Sequence, residues 1–290
     1  MEASAQLRIG ELSRRTGVSA ELLRAWERRY GLLRRTRTEG GFRLYSTADE
    51  RRVDLMRSHL KEGLSAAEAA RLTLAEGDGA PAGGAQPLLA NCRDELRAAL
   101  DALDESAAQR AVDRLLAEFS LQTALRDVLL PFLRELGESW ASGGTSIGHE
   151  HFASQLLRGR LLGLGRGWDS GSGPRGLLAC APGEQHDLGL LMFALALRER
   201  GWRITHLGQD TPLETIAETA RAVEPEAIII AATLPAHFSR SGPKLRRLAS
   251  HGSVWLAGPG ASAALARKLS ASLLGDDPLT AADRLDAARA

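Results

Sequence analysis

Residues 175–201 read RGLLACAPGEQHDLGLLMFALALRERG, and this stretch decides what kind of fold the chain adopts. The run GLLACA is short, apolar and closed by Pro182 and Gly183, as a strand buried on both faces should be. The apolar run that begins at Leu188 extends to about residue 200, a length that fits a helix better than a strand. Strand, loop and helix in that order are half of a βαβ unit. Working outward, strands are expected at 176–181, 203–207, 226–232 and 253–257, with helices near 188–200, 213–223, 241–250 and 261–269. The tail PLTAADRLDAARA (278–290) reads as a closing helix. Alternation at this spacing implies right-handed crossovers and a parallel sheet. Within it AIIIAATL (227–234) is a continuous apolar, β-branched run, the mark of a central strand.

Upstream of the sheet region the pattern changes. CRDELRAALDALDESAAQRAVDRLLAEF and LQTALRDVLLPFLRELGESW place apolar residues at i, i+3, i+4 and i+7. Residues 88–167 therefore read as a helical bundle of three to four helices. Two segments look like linkers: EGDGAPAGGAQP (76–87), rich in Gly, Ala and Pro, and WDSGSGPR (168–175). The expected division is 1–76, a linker over 77–87, a helical segment over 88–167, and an α/β domain over 168–290.

The chain has 290 residues and a formal charge of +1, enough length for two or three separate cores. No apolar run approaches the ~20 residues that span a bilayer, and the first ten residues lack the pattern of a secretory signal. The two cysteines, Cys92 and Cys180, sit in apolar surroundings. They are expected to be buried free thiols of a cytoplasmic protein. Charge is uneven, with ten arginines against five acids in residues 1–46, a balance that suggests a polyanionic partner.

That basic segment has its own architecture. IGELSRRTGVSAELLRAWERRYGLL reads as helix, turn, helix, with Gly17 breaking the pattern and Ser19 capping the second helix. In RRTRTEGGFRLYS, Glu-Gly-Gly gives a hairpin turn and the flanks a two-stranded wing. STADERRVDLMRSHLKEGLSAAEAARL supplies two more helices, the first capped by Ser46 or Thr47 with Asp49 or Glu50 completing a box. This is a winged helix-turn-helix, whose second helix enters the major groove of double-stranded DNA. Through LRAWERRYGLL, GGFRLYS and EGLSAAEA the segment also resembles the MerR family of transcriptional regulators. The resemblance implies operator DNA contacts at Ser19, Arg24, Trp26, Arg28, Arg29 and Tyr30 on or beside the reading helix, and at Arg43 and Tyr45 on the wing. A purely structural role for Trp26 or Tyr30, closing the small core, is the competing reading.

His186 lies in GEQHDLG, in the loop after the first strand of the sheet. That is the edge at which open parallel sheets bind ligands. Three ligands compete for it. A nucleotide is poorly served, because the loop lacks the G-x-G-x-x-G spacing. Zinc wants three or four protein ligands and finds one imidazole and two carboxylates. A metal held in a tetrapyrrole-like macrocycle needs only one imidazole. A neighbouring carboxylate, Glu184 or Asp187, would then accept the ring's other N–H. Gly183 and Gly189 would let backbone lie close to a large cofactor.

E-Q-H-D-L-G resembles the E/D-x-H-x-x-G motif of cobalamin-binding domains, which are flavodoxin-like (Rossmann-type) in fold. The resemblance implies His186 as the lower axial ligand of cobalt, with Glu184, Asp187 and Gly189 around it. LGQDTPLE, AATLP and LAGPGAS follow the later strands as in that family and implicate Thr233, Leu234, Gly258 and Gly260 in holding the cofactor tail. Ala231 stands where serine is usual and Ala257 where the first of two glycines is usual. In WASGGTSIGHEH, Trp140 is followed after nine residues by Glu150 and His151. This spacing resembles the four-helix cap of CarH/LitR-type regulators, which implies that these three residues cover an adenosyl group. Ala141 stands where such proteins can carry a histidine.

Together the resemblances imply a repressor that uses adenosylcobalamin as a light sensor, without enzymatic activity. They also imply a dark tetramer, a dimer of dimers, bound to operator DNA and dispersed by light. A regulator that senses another cobalamin or a redox state is the alternative. A cobalamin-dependent enzyme component is a third reading, disfavoured because the chain has no large substrate-holding barrel and carries a DNA-binding module.

Overall fold

The computed structural model describes residues 7–34, 36–37, 43–77, 85–141, 146–239 and 242–289, without the side chains at 36, 37, 76, 77, 85, 140 and 141. The chain forms two compact units, Met1–Ser142 and Gly143–Ala290.

In the first unit, β1 (Leu7–Arg8) leads into α1 (Ile9–Thr16) and α2 (Ala20–Tyr30), followed by β2 (Thr36–Arg37), β3 (Arg43–Tyr45), α3 (Thr47–Lys61) and α4 (Ala66–Gly77). Gly17 ends α1, and the Ser19 hydroxyl accepts the Leu22 N–H to start α2. The wing has three strands in the order β1-β3-β2, one more than expected. The Glu-Gly-Gly hairpin lies outside the described residues. Ser46 rather than Thr47 caps α3, and Asp49 completes the box. Asp49 is fully buried yet also accepts from the Arg34 N–H and the Arg52 guanidinium. Burial alone would raise its carboxyl; these hydrogen bonds outweigh burial and hold it below the usual range. Leu12, Leu23, Trp26, Leu32, Val53 and Met56 form the module's interior.

The helices that follow are α5 (Ala85–Asp101), α6 (Glu105–Glu118), the short α7 (Leu121–Thr123), a π-helical turn (Ala124–Leu129) and α8 (Leu130–Ala141). The segment 121–141 reads as one helix in sequence. Pro131 explains the irregularity: it has no N–H and its ring would clash with the carbonyl four residues back, so the turn before it widens. Of the expected 76–87 linker, residues 76–77 close α4 and 85–87 open α5; the remainder lies outside the described residues. The two helical parts are tied directly. Leu64 bridges Phe119, the Ser65 N–H donates to the Glu118 carbonyl at 2.8 Å, and the Ser120 N–H to the Gly63 carbonyl at 2.9 Å.

The second unit begins with α9 (Ile147–Leu164), which packs on α10 (Leu188–Glu199). The sheet then runs β4 (Arg175–Cys180), β5 (Arg203–Gly208), β6 (Ala227–Ala231), β7 (Ser253–Ala257) and β8 (Ser272–Gly275). The connecting helices are α10, α11 (Leu213–Val223), α12 (Pro235–Ser239), α13 (Gly242–Leu248), α14 (Ala263–Leu269) and α15 (Pro278–Ala287). All five strands are parallel in the order β5-β4-β6-β7-β8. The unit is therefore flavodoxin-like, and the chain reverses its direction of winding between β4 and β6. Leu177, Ile216, Ile228, Ile230, Phe238, Leu245 and Leu256 fill one face of the sheet. Each such side chain contributes about 1.5–3 kcal/mol on burial.

WDSGSGPR is not a free linker. The Trp168 carbonyl accepts the Ile204 N–H, the Pro174 carbonyl accepts the Arg203 N–H, and the Trp168 ring stands edge-on to His206 with centroids 5.3 Å apart. The segment straps the exposed edge at β5, which would otherwise offer unpaired backbone groups. The unforeseen β8 is a short edge strand whose apolar residues are too few to register in the sequence. Both cysteines are buried and free, and burial is the main reason each thiol is pushed up to about 12.

Candidate cofactor site

The switch point between β4 and β6 brings together the loops that follow both strands. Glu184 is their hub. Its side chain is 0% exposed, and its two oxygens accept five hydrogen bonds. Oε1 accepts the His186 N–H at 2.8 Å and His186 Nδ1 at 2.6 Å. Oε2 accepts the Thr233 N–H at 2.6 Å, the Thr233 hydroxyl at 2.5 Å and His237 Nδ1 at 3.2 Å. The main chain of Glu184 is also held, its carbonyl accepting the Asp210 N–H at 2.8 Å. Burial would raise the Glu184 carboxyl, but the hydrogen bonds from His186 and Thr233 prevail and place it far below the carboxylate range. The same bond is the first cause of a raised His186.

His186 itself is 72% exposed along its side chain. With Nδ1 donating to Glu184, Nε2 is the nitrogen available to a metal. Of the two carboxylates that the sequence left open as its partner, Glu184 takes the role. Asp187 instead is buried and ion-paired with Arg158 of α9, whose Nε lies 3.0 and 3.1 Å from its two oxygens. Gln209 donates to Asp187 at 3.3 Å and to the Gln185 carbonyl at 2.5 Å. The residues on either side of His186 are thus both anchored. Gly189 lies in the first turn of α10 beside open space.

Thr233, just beyond β6, donates to Glu184 through both its backbone and its hydroxyl, although Ala231 occupies the position where serine is usual. Leu234 is exposed. A Cβ on Gly258 would lie 2.6 Å from the Ala232 carbonyl oxygen, in a backbone conformation with φ +89° that side chains avoid. One on Gly260 would lie 2.6 Å from the Leu234 carbonyl carbon. These glycines let the loops after β6 and β7 pack backbone against backbone.

Glu150 falls in the first turn of α9, capped by Ser146, and His151 follows it. The Glu150 carboxylate accepts the Ser154 hydroxyl at 2.7 Å and contributes to the raised His186. His151 is exposed. Trp140 belongs to α8, and its side chain lies outside the described residues. Arg158, Gln209, Asp210 and His237 were not singled out from sequence. Gln209 and Asp210 at least stand in the LGQDTP loop; His237 and Arg158 have no spacing signal.

The donor set fits a metal that brings its own equatorial ligands. One exposed imidazole is backed by a buried carboxylate, and among the described residues no group of three His, Cys, Asp or Glu side chains is placed to hold an ion.

On the basic module, Ser19, Arg24, Arg28, Arg29 and Arg43 are exposed. Tyr30 is half-buried beneath the Arg29 guanidinium, 5.7 Å from its ring centroid. Trp26 and Tyr45 are 5% and 1% exposed, and the Tyr45 hydroxyl donates to Glu27 at 2.8 Å. These two are core residues. They hold α2 and the wing in place instead of presenting themselves to a groove. Among the described residues no helix is long and apolar enough to cross a membrane.

Comparisons with known proteins match three segments of the chain. Residues 7–76 match the MerR HTH family regulatory proteins, and residues 92–162 and 174–284 each match a B12 binding domain. The chain is 35% identical over 266 residues to the HTH-type transcriptional repressor CarH of Myxococcus xanthus, covering 88% of this chain and 89% of that one. It is 34% identical to CarA of the same organism, covering 77% and 75% respectively. In fold it is similar to a monomethylamine corrinoid protein of Methanosarcina barkeri, with a TM-score of 0.57 at 15% identity, over 68% of this chain and 98% of that one.

Proposed function

The chain belongs to the B12-binding, MerR-type transcriptional repressors, and from that premise we propose that it is a light-responsive repressor with adenosylcobalamin as its chromophore. The observation that carries this reading is the exposed His186 imidazole with Nδ1 held at 2.6 Å by a carboxylate that no solvent reaches. Such a ring presents Nε2 in one tautomer and one orientation.

The division of labour follows the chain. Residues 1–76 bind operator DNA, 88–167 serve as the cofactor's cap, and 168–290 supply its axial histidine. His186 ligates cobalt, and Glu184 and Thr233 fix the imidazole. Asp187, anchored by Arg158, keeps the loop in register. Gly189, Leu234, Gly258 and Gly260 line the space for the cofactor tail. The resemblance assigns Trp140, Glu150 and His151 to the adenosyl group. Bound adenosylcobalamin supplies a cobalt–carbon bond that visible light cleaves. Arg24, Arg28, Arg29 and Arg43 grip phosphates from an exposed surface, Ser19 and Tyr30 flank them, and a dark tetramer multiplies that grip.

The test is a dark preparation loaded with adenosylcobalamin, followed by operator binding and size-exclusion chromatography before and after green light. Loss of assembly and of DNA affinity on illumination is expected. Unchanged assembly and affinity after a complete spectral conversion would refute the switch. His186→Ala is expected to alter the visible spectrum of the bound cofactor.

The alanines at 231 and 257, together with Ala141, favour one second reading, a repressor that responds to which cobalamin is bound. Dark titration with adenosyl-, methyl- and hydroxocobalamin separates it: operator affinity would then change with the upper ligand in the absence of light.

A further inference from the structure

Resting on the ligation reading above, we propose that His237 is a positioning residue that sets, through Glu184, how strongly His186 donates to an axial metal. His237 lies in α12, six residues beyond the end of β6, and its side chain is only 15% exposed. Its Nδ1 is 3.2 Å from Glu184 Oε2. An ionised carboxylate carries no hydrogen, so the proton of this contact sits on His237 and the ring donates. The ring also stacks over the loop at Gly183, 3.6 Å from where a Cβ would be.

The two oxygens of Glu184 serve different partners. Among the described residues Oε1 accepts only from His186, and Oε2 accepts from Thr233 and His237. Thr233 alone, with a backbone and a hydroxyl donor, already fixes the orientation of the carboxylate. The further donation from His237 draws negative charge toward Oε2 and away from Oε1. A weaker acceptor at Oε1 polarises the His186 Nδ1–H less, and Nε2 becomes a less basic ligand. Removing the His237 donor should therefore strengthen the axial bond. A stronger axial donor favours Co(III) over Co(II), which lowers the midpoint potential of that couple.

The experiment uses the full chain loaded with hydroxocobalamin and reduced to the Co(II) form. Electron paramagnetic resonance of protein carrying ¹⁵N-histidine reads axial ligation, and a spectroelectrochemical titration reads the Co(III)/Co(II) midpoint. His237→Phe is expected to shift the midpoint to more negative values. His237→Asn, whose amide nitrogen takes the place of Nδ1, is expected to return it to the wild-type value. If phenylalanine is not accommodated, His237→Leu takes its place in the same comparison. A midpoint in the donor-less variant equal to wild type, or an asparagine variant that behaves like it, overturns the inference and leaves His186 ligation standing. Wild-type spectra insensitive to the ¹⁵N label, and identical to those of His186→Ala, overturn both.

Discussion

Two histidines, one in the loop after β4 and one on the neighbouring strand β5, meet opposite electrostatic fates. His186 is held by a carboxylate and its pKa is raised; His206, on β5, faces the Trp168 ring, and its buried Nε2 has no hydrogen-bond partner among the described residues. Burial pushes His206 down to about 4, with Asp187 opposing and Arg158 reinforcing the shift. Between pH 6.5 and 4 the unfolded chain takes up a proton at this position that the folded chain refuses, so stability falls as pH drops through that window. The loss approaches about 3 kcal/mol below pH 4. Urea unfolding of wild type and of His206→Leu at pH 7 and pH 4.5 checks this. The wild type should lose more of its midpoint than the variant, and equal losses would reject the assignment. Legibility at this scale was partial. The sequence identified His186 and narrowed its partner to Glu184 or Asp187, but not which of the two. That choice depends on Thr233 and His237, 49 and 53 positions away from Glu184, and on Arg158 claiming Asp187. Thr233 is marked in the sequence only as a residue for the cofactor tail, and His237 and Arg158 leave no mark in local spacing.

Periodicity located nearly every element of the sheet domain, because strands buried on both faces and the helices between them have distinct apolar patterns. It could not foresee the short edge strands β1 and β8, the π turn before Pro131, or the strap along β5, since each depends on contacts made across the fold. The junction at Gly63 is another such contact, and it supports a prediction. Gly63 has φ +89°, and a Cβ there would lie 2.1 Å from the Thr123 hydroxyl oxygen. Its carbonyl accepts the Ser120 N–H, one rung of the ladder that joins the DNA-binding helices to α6 and α7. Gly63→Ala therefore meets both backbone strain and a side-chain clash, and a loss of roughly 1–3 kcal/mol is expected. Adding Thr123→Ala should recover the part due to the clash and not the part due to φ. Thermal midpoints of the wild type, the single and the double variants report the partition; a Gly63→Ala protein as stable as wild type would show that the ladder is not formed.

At the scale of the whole chain, the arginines that would hold DNA lie in one compact unit and the histidine proposed to ligate the cofactor in the other. Under the proposed function the two are joined by the number of DNA-binding modules in an assembly. Salt dependence distinguishes a change in that number from a change in how well a single module fits. Each phosphate neutralised adds about 0.9 to the slope of log K against log salt. Arg28→Ala, which removes one exposed cation from α2, should weaken binding to all sequences and reduce the slope by about one unit per engaged module. The reduction in the dark assembly should then be a multiple of that in the illuminated protein. The wild-type slope itself should fall on illumination in the same proportion, because modules that leave the DNA take all their phosphate contacts with them. If light lowers affinity while the slope stays constant, the number of modules on DNA has not changed. The cofactor would then act by altering contacts within a module, and control by assembly would have to be abandoned.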